Sequence, residues 1–224
     1  MLARLIPLLL LVLTRDGVLH RFDGHHDTTA AAARATAIAT LDDRRVAVLA
    51  GARLTIDGKA VPGRFDDVRA LAGGATLWAR TDGAVLQIDP KSGKRATLLE
   101  LLRLHRLAAD GASVFAEADG VVVEVGVDRR WKAAGHPIAL AAGDGKLWLA
   151  TKEGPLWEID RATGKQRALP LGDWWGTLAL AYADHALYAV TVAGKLWRID
   201  PARSQKTIVA MDGWQGAIDL SVLR

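Results

Sequence analysis

The chain has 224 residues, of which 50% are hydrophobic and 24% charged, with a net charge of +4 at pH 7. This composition excludes intrinsic disorder and predicts one globular domain over residues 1–224. Cysteine is absent, which excludes disulfides, thiolate metal sites and cysteine nucleophiles, and the small positive charge does not demand a nucleic-acid partner.

The N-terminal region predicts a β-hairpin. An apolar run at residues 8–14 is followed by Asp16-Gly17 and a second apolar run at residues 18–23. Asp-Gly between apolar runs is a strong hairpin signal, because both central positions of a type I′ turn need a positive φ angle. Residues 1–13 also resemble a short secretory signal, which leaves export as an alternative to the cytoplasmic location that we expect.

Similar hairpins recur along the chain. Asp82-Gly83, Asp119-Gly120 and Glu153-Gly154 each separate two apolar runs, with a further apolar run before each hairpin and a more polar run after it. The copies begin at residues 10, 46, 77, 114, 147 and 187, which predicts a repeated unit of four antiparallel strands. Residues 95–109 instead have the leucine spacing of an amphipathic helix. We follow the repeat and predict strands there; the alanine-rich residues 28–40 carry the same ambiguity.

The C-terminal half shows the repeat most clearly. Residues 147–160 return, after an offset of 40 positions, as residues 187–200, and Trp174 returns as Trp214. The last apolar run, residues 217–223, has the character of a first strand with nothing after it. Because the first copy begins at a second strand, we expect this run to complete the N-terminal unit and close a ring.

The predicted strands are apolar on both faces, so each sheet must be covered on both sides. Six sheets packed around a central axis meet this demand, which predicts an all-β fold, a six-bladed β-propeller with strands one to four ordered from centre to rim. The repeat contains Leu-Trp-x-Ile-Asp at residues 156–160 and Thr-Gly-Lys at residues 163–165. It resembles the repeats of PQQ-like, NHL-like and tectonin-like β-propellers. This resemblance covers nearly the whole chain and implies the fold, not a function.

The loops from each fourth strand to the next first strand are expected to open at one end of the ring, which we call the loop face. Indole rings beside carboxylates stack on sugars or anchor protein chains, because they bury a large rigid area and keep a polar N–H group. The predicted partner- or ligand-binding residues of this face are Phe65, Asp66, Asp67, His136, Asp173, Trp174, Trp175, Asp212, Trp214 and Gln215.

Several of these residue types also have structural interpretations. The equivalence of Trp174 and Trp214 favours packing between blades, whereas Trp175 has no counterpart in the next copy. Core packing is expected of the tryptophans within predicted strands, namely Trp78, Trp148, Trp157 and Trp197. Turn capping is expected of the aspartates that close the third strands, namely Asp23, Asp57, Asp89, Asp160 and Asp200. His25-His26-Asp27 has metal-ligand residue types, but a solvated turn is the expectation.

These observations favour a non-enzymatic scaffold that presents the loop face to a protein partner, without a cofactor and as a monomer on its own. Two alternatives stay open. One is a glycan-binding lectin that uses the tryptophan-bearing loops. The other is a metal-dependent lactonase or hydrolase at the channel mouth with Asp66, Asp67, Glu100 and His136 near the metal. The sequence has neither a Gly-x-Ser-x-Gly elbow nor a phosphate-binding loop.

Overall fold

The computed structural model describes residues 9–23, 26–32 and 34–223. Most of the signal-like segment, and His25, lie outside the described residues. Within those ranges the chain forms 24 β-strands, which pair into six sheets of four antiparallel strands each. The predicted six-bladed β-propeller is therefore confirmed.

Blades 2 to 6 each take their four strands from one continuous stretch of the chain, whereas blade 1 combines strands from both ends. Blade 1 contains β1 (Leu9–Thr14), β2 (Val18–Phe22) and β3 (Asp27–Ala31). Blade 2 contains β4 (Ala35–Thr40), β5 (Val46–Ala50), β6 (Arg53–Ile56) and β7 (Lys59–Ala60). Blade 3 contains β8 (Ala70–Gly73), β9 (Leu77–Arg80), β10 (Ala84–Ile88) and β11 (Arg95–Glu100).

Blade 4 contains β12 (Leu104–Asp110), β13 (Ser113–Ala118), β14 (Val121–Glu124) and β15 (Arg129–Lys132). Blade 5 contains β16 (Pro137–Gly143), β17 (Lys146–Thr151), β18 (Leu156–Asp160) and β19 (Gln166–Leu169). Blade 6 contains β20 (Thr177–Ala183), β21 (Ala186–Thr191), β22 (Leu196–Asp200) and β23 (Gln205–Ala210). The last strand, β24 (Ala217–Leu223), is the innermost strand of blade 1.

The ring closes through β24, as the repeat predicted. This strand pairs antiparallel with β1, from Leu9 opposite Leu223 to Thr14 opposite Ala217. The inner strands of successive blades contact one another around the axis, and β24 lies between β20 and β4. Their approach is close: a Cβ atom on Gly73 of β8 would lie 2.1 Å from the carbonyl oxygen of Thr40 on β4.

The core lies between neighbouring blades, because the middle strands bury both of their faces. In β17 every residue after Lys146 is buried, whereas all of β3 and most of β11, at the rim, are exposed. Trp148 of blade 5 shows this packing most clearly. Its ring stacks on Tyr182 of blade 6 with centroids 4.2 Å apart and an interplanar angle of 17°. Neighbouring blades thus share the apolar layer between them.

The segment with helical leucine spacing forms strands, as the repeat predicted. Residues 95–100 pair with β10, and residues 104–110 pair with β13. Two leucines of the helical pattern, Leu98 and Leu102, remain exposed at 39% and 82%. Pairing with neighbouring strands therefore overrides the local periodicity. Residues 28–40 likewise contain β3 and β4.

The expected type I′ geometry is found at one of the predicted hairpin turns and is wrong at others. Asp119 and Gly120 both have positive φ angles, of 47° and 80°. At Asp82-Gly83 neither residue does. There the Thr81 hydroxyl accepts hydrogen bonds from the backbone N–H groups of Gly83 and Ala84, at 3.3 and 2.9 Å. The side chain thus stabilises a turn that does not need left-handed residues.

Turn capping by the repeated aspartates is confirmed at four positions. A carboxylate oxygen accepts a hydrogen bond from a backbone N–H group two or three residues further on at Asp23, Asp89, Asp160 and Asp200. Asp57 differs, because its carboxylate accepts from Val46 N at 2.9 Å, at the start of β5. Asp57 itself has a positive φ angle of 49° and forms the turn directly with Gly58.

Candidate interaction face

The loop face is built from two kinds of connection. The turns between second and third strands lie at the same end of the ring as the loops that lead to each first strand, because successive strands run in opposite directions. Backbone hydrogen bonds join the two sets. Lys152 N donates to His136 O at 3.0 Å, and Val192 N donates to Gly176 O at 2.8 Å. The loops of this face are therefore fixed to the blades at several points.

Three of the predicted binding residues are buried, and they occupy equivalent positions in the loops that lead to three different first strands. Phe65, Trp174 and Trp214 are exposed by 0%, 3% and 3%, and each carbonyl oxygen accepts a hydrogen bond from the N–H group three residues later. Trp174 packs edge-on against Trp197 at 5.9 Å, and Trp214 against Phe22 at 6.1 Å. These rings are packing residues of the inter-blade core. The binding prediction is therefore carried forward only for the exposed residues.

The other predicted residues are exposed on the loop face, namely Asp66, Asp67, His136, Asp173, Trp175, Asp212 and Gln215. Asp67 is engaged by Arg95, whose Nη1 lies 2.8 Å from its carboxylate. Asp173 and Asp212 differ, since neither forms an ion pair with another described residue. Their carboxylates are therefore available to an external cation.

His136 contacts Glu153, which was predicted only as part of a hairpin turn. Its backbone N–H group donates to Glu153 Oε2 at 2.9 Å, and its Nδ1 contacts Glu153 Oε1. The hydrogen bond from the His136 side chain, followed by that from its backbone, lowers the pKa of Glu153 to about 2. The contact follows from the antiparallel pairing of β16 with β17 within blade 5, which places Pro137 opposite Thr151 and so brings His136 beside the turn that contains Glu153.

Three exposed apolar side chains lie in the loops of the loop face around blade 6. Trp175, Val192 and Met211 are exposed by 64%, 49% and 55%, and we call these three residues the blade-6 patch. The Val192 side chain packs against Gly176, which directly follows Trp175. Val192 and Met211 were not among the binding residues predicted from the sequence. The sequence does contain a signal for Val192. The equivalent position of the preceding copy is Lys152, so a valine here is unusual for a polar turn.

The central channel is the other concave feature. It encloses about 680 Å³ and is lined by the six inner strands. Near the loop face its wall includes Arg69, Arg80 and Arg106. Asp219 of β24 also lines the channel, at the same position of its inner strand as Arg106 of β12. Its carboxylate accepts hydrogen bonds from the backbone N–H groups of Ile38 and Leu220, each at 2.9 Å. Burial raises the pKa of Asp219 to about 7 despite these bonds.

Metal-ligand residue types are scattered over the described ranges, where no three of His, Asp and Glu lie close enough together to hold a metal ion. The residues named for a hydrolase, Asp66, Asp67, Glu100 and His136, therefore do not form such a group. In the turn His25-His26-Asp27, His25 lies outside the described residues. Asp27 binds His20 at 2.7 Å, and His26 binds Asp23 at 3.5 Å. Asp27 and His26 thus contact different partners.

The geometry thus defines the class of protein, a six-bladed β-propeller with tightly fixed loops at one end. Solved structures share this fold. Nidogen, in a crystal structure of a nidogen/laminin complex, matches with a TM-score of 0.72 and 11% identity over 97% of this chain and 98% of that one. Apo AztD from Citrobacter koseri matches with a TM-score of 0.62 and 10% identity over 96% and 97%.

A third structure is larger than this chain. PorZ, an essential bacterial surface component of the type-IX secretion system of Porphyromonas gingivalis, matches with a TM-score of 0.53 and 17% identity. The match covers 88% of this chain and 32% of PorZ. The sequence matches no family model and no curated protein. At these identities the shared property is the fold. Residues 9–23, 26–32 and 34–223 include no helix that meets the length and hydropathy needed to cross a membrane.

Proposed function

We propose that the chain is a binding scaffold that docks a protein partner on the blade-6 patch. The observation that carries this proposal is the exposure of Trp175, whose indole is 64% accessible although the neighbouring Trp174 is buried. A tryptophan held on a fixed loop is a strong interface anchor, because its large area is buried on binding with little loss of side-chain entropy. Nidogen, which shares the fold, was solved in complex with another protein, which supports this use of the fold.

The charges around the patch specify the partner's chemistry. Asp173 and Asp212 are exposed beside Trp175 and Met211, and neither carboxylate has an ion-pair partner among the described residues. An apolar surface flanked by two free carboxylates is complementary to a segment with an apolar side chain between Lys or Arg residues. The expected location of such an assembly in the cytoplasm stays a prediction.

Replacement of both Trp175 and Asp173 by alanine is expected to weaken partner binding by at least about tenfold, because loss of an anchoring tryptophan costs roughly 2 kcal/mol or more. The partner is first identified by affinity capture and mass spectrometry. Its affinity for the purified parent and variant chains is then measured by calorimetry.

A matched control lies on the opposite end of the ring. Val127 and Asp128 are an exposed apolar residue and an exposed carboxylate in the loop between β14 and β15. Their double replacement by alanine is expected to leave the affinity unchanged. Equal affinity of the partner for the parent and the Trp175/Asp173 variant would show that this face does not bind it.

The exposed indole beside Asp173 also supports the lectin alternative, because carbohydrate rings stack on accessible tryptophans. A glycan array and a titration of tryptophan fluorescence with sugars distinguish the two proposals. A saturable fluorescence change that is lost in Trp175→Ala would establish the lectin. No hit on the array and no fluorescence change would dismiss it and leave the docking proposal intact.

A further inference from the structure

Two arginines meet at the loop-face end of the central channel. Arg80 extends from blade 3 to blade 4, where its Nη1 donates a hydrogen bond to Leu104 O at 2.6 Å. Arg106 extends from blade 4 to blade 5, where its Nε donates to Ile138 O at 2.6 Å, and its Nη1 donates to His105 O at 2.8 Å. The two guanidinium groups are therefore attached to consecutive carbonyl groups of β12.

These hydrogen bonds use only part of the donor capacity of the two side chains. A guanidinium group carries five N–H donors. Arg80 donates one hydrogen bond within the described residues, and its Nε is buried without a partner. Both side chains line the channel. The capping of inner-strand carbonyls thus explains why the arginines are held in place, but not the remaining donors.

Two carboxylates offset the positive charge of the pair in part, Asp82 near Arg80 and Glu117 near Arg106, but neither is within salt-bridge distance of its arginine. Neither Arg80 nor Arg106 forms a salt bridge with a described residue, and Glu117, opposite Arg106 on β13, directs its Oε1 to Gly120 N at 2.8 Å instead. The nearby Arg69 adds positive charge but is paired with Asp82 at 3.1 Å. Two unpaired, partly buried cations side by side repel each other, and an anion between them would relieve that repulsion.

The electrostatics of the two groups agree with this geometry. Burial lowers the pKa of Arg80, and the charge of Arg106 lowers it further, while the charge of Asp82 opposes the change. Burial likewise lowers the pKa of Arg106, with Glu117 opposing the change. Functional sites are where such unfavourable charge arrangements concentrate. The like charges thus lie close enough to interact in a partly desolvated part of the channel.

We propose that the loop-face end of the central channel binds a small oxyanion, a phosphate or carboxylate group, between the guanidinium groups of Arg80 and Arg106. Planar guanidinium groups match the oxygen atoms of such anions and form charge-assisted hydrogen bonds with them. The channel volume of about 680 Å³ falls within the range of about 300–1,000 Å³ that is typical of small-molecule sites. This site is separate from the blade-6 patch, so either can fail without the other.

Calorimetric titration of the full chain with inorganic phosphate and, separately, with succinate tests the proposal at constant ionic strength set with sodium chloride. Saturable one-to-one binding of at least one anion is expected, with a Kd of about 1 mM or tighter. Binding of phosphate alone would indicate a phosphoryl ligand, and binding of succinate alone a carboxylate ligand. No saturable heat with either anion would overturn the proposal, whatever the variants do.

Variants locate the site. Arg80→Gln and Arg106→Gln are each expected to weaken binding at least about tenfold, because each removes a charged donor. Arg80→Lys keeps the charge but loses the planar fork, so its affinity should fall between those of the parent and Arg80→Gln. Arg203→Gln removes an exposed arginine that pairs with Asp200, away from the channel, and this variant should bind as the parent does. Parent-like affinity of folded Arg80→Gln and Arg106→Gln would place the anion elsewhere and overturn the assignment.

Discussion

Replacement of Trp148 by alanine is expected to lower the free energy of unfolding by about 3–5 kcal/mol, the cost of removing a fully buried tryptophan. Trp148 is 1% exposed and stacks on Tyr182 of the next blade. Its removal leaves a cavity in a layer that two blades share and also ends the aromatic contact across their boundary. Both blades lose packing, so the effect should be among the largest for a single residue.

The measurement compares the parent and its variants by urea unfolding followed by far-UV circular dichroism, which does not depend on the tryptophan signal. Trp175→Ala is the matched control, because it removes the same side chain from a position that is 64% exposed. Its stability should stay within about 0.5 kcal/mol of the parent. Trp148→Phe, which keeps an aromatic ring, should lose less than Trp148→Ala. Equal unfolding midpoints for Trp148→Ala and Trp175→Ala would contradict this packing between blades.

Asp219 is expected to make the stability of the ring fall as the pH rises. Burial raises its pKa from 3.8 to about 7, so between these values the folded chain holds a proton that the unfolded chain has released. Stability decreases with pH wherever the folded state binds more protons, and it levels off above the folded pKa. From about pH 5 to about pH 8 this group removes about 3 kcal/mol.

Asp219→Asn should abolish this part of the pH dependence, because the amide does not titrate. The difference in unfolding free energy between variant and parent should shift by about 3 kcal/mol in favour of the variant from about pH 5 to about pH 8. Asp212→Asn is the control, since Asp212 is exposed in a loop. Parallel pH profiles for the parent and Asp219→Asn would show that the channel wall does not raise the pKa of the Asp219 carboxyl.

The fold was predictable from the sequence because each copy of the repeat has the same packing residues at the same positions. Matches such as Leu147 with Leu187 and Trp174 with Trp214 fixed the register of the blades, and the register outweighed the helical spacing of residues 95–109. The same equivalence correctly indicated that Trp174 and Trp214 are inter-blade packing residues. Turn geometry was less predictable, because the Thr81 hydroxyl replaces the left-handed residues that Asp82-Gly83 suggested.

The candidate sites were predictable only in part. The loops of the loop face followed from strand order, and Trp175 was found because it breaks the repeat. Contacts made by long side chains across a blade boundary do not show as a break in the sequence repeat. Arg80 contacts a carbonyl group 24 residues away, and Arg106 contacts one 32 residues away. The unpaired charge in the channel therefore becomes visible only when the inner strands are placed around the axis.

Closure of the ring by β24 is the claim on which the loop face and the channel depend, and a disulfide test addresses it directly. The chain has no cysteine, so Leu9→Cys combined with Leu223→Cys introduces a single pair of thiols. These residues face each other across β1 and β24, and directly opposed antiparallel residues lie within disulfide range. A closed ring predicts an intramolecular disulfide in the monomer under mild oxidation, and none when Leu9→Cys is combined with Val127→Cys of blade 4. Free thiols or only intermolecular links in the Leu9/Leu223 variant would contradict the closed ring.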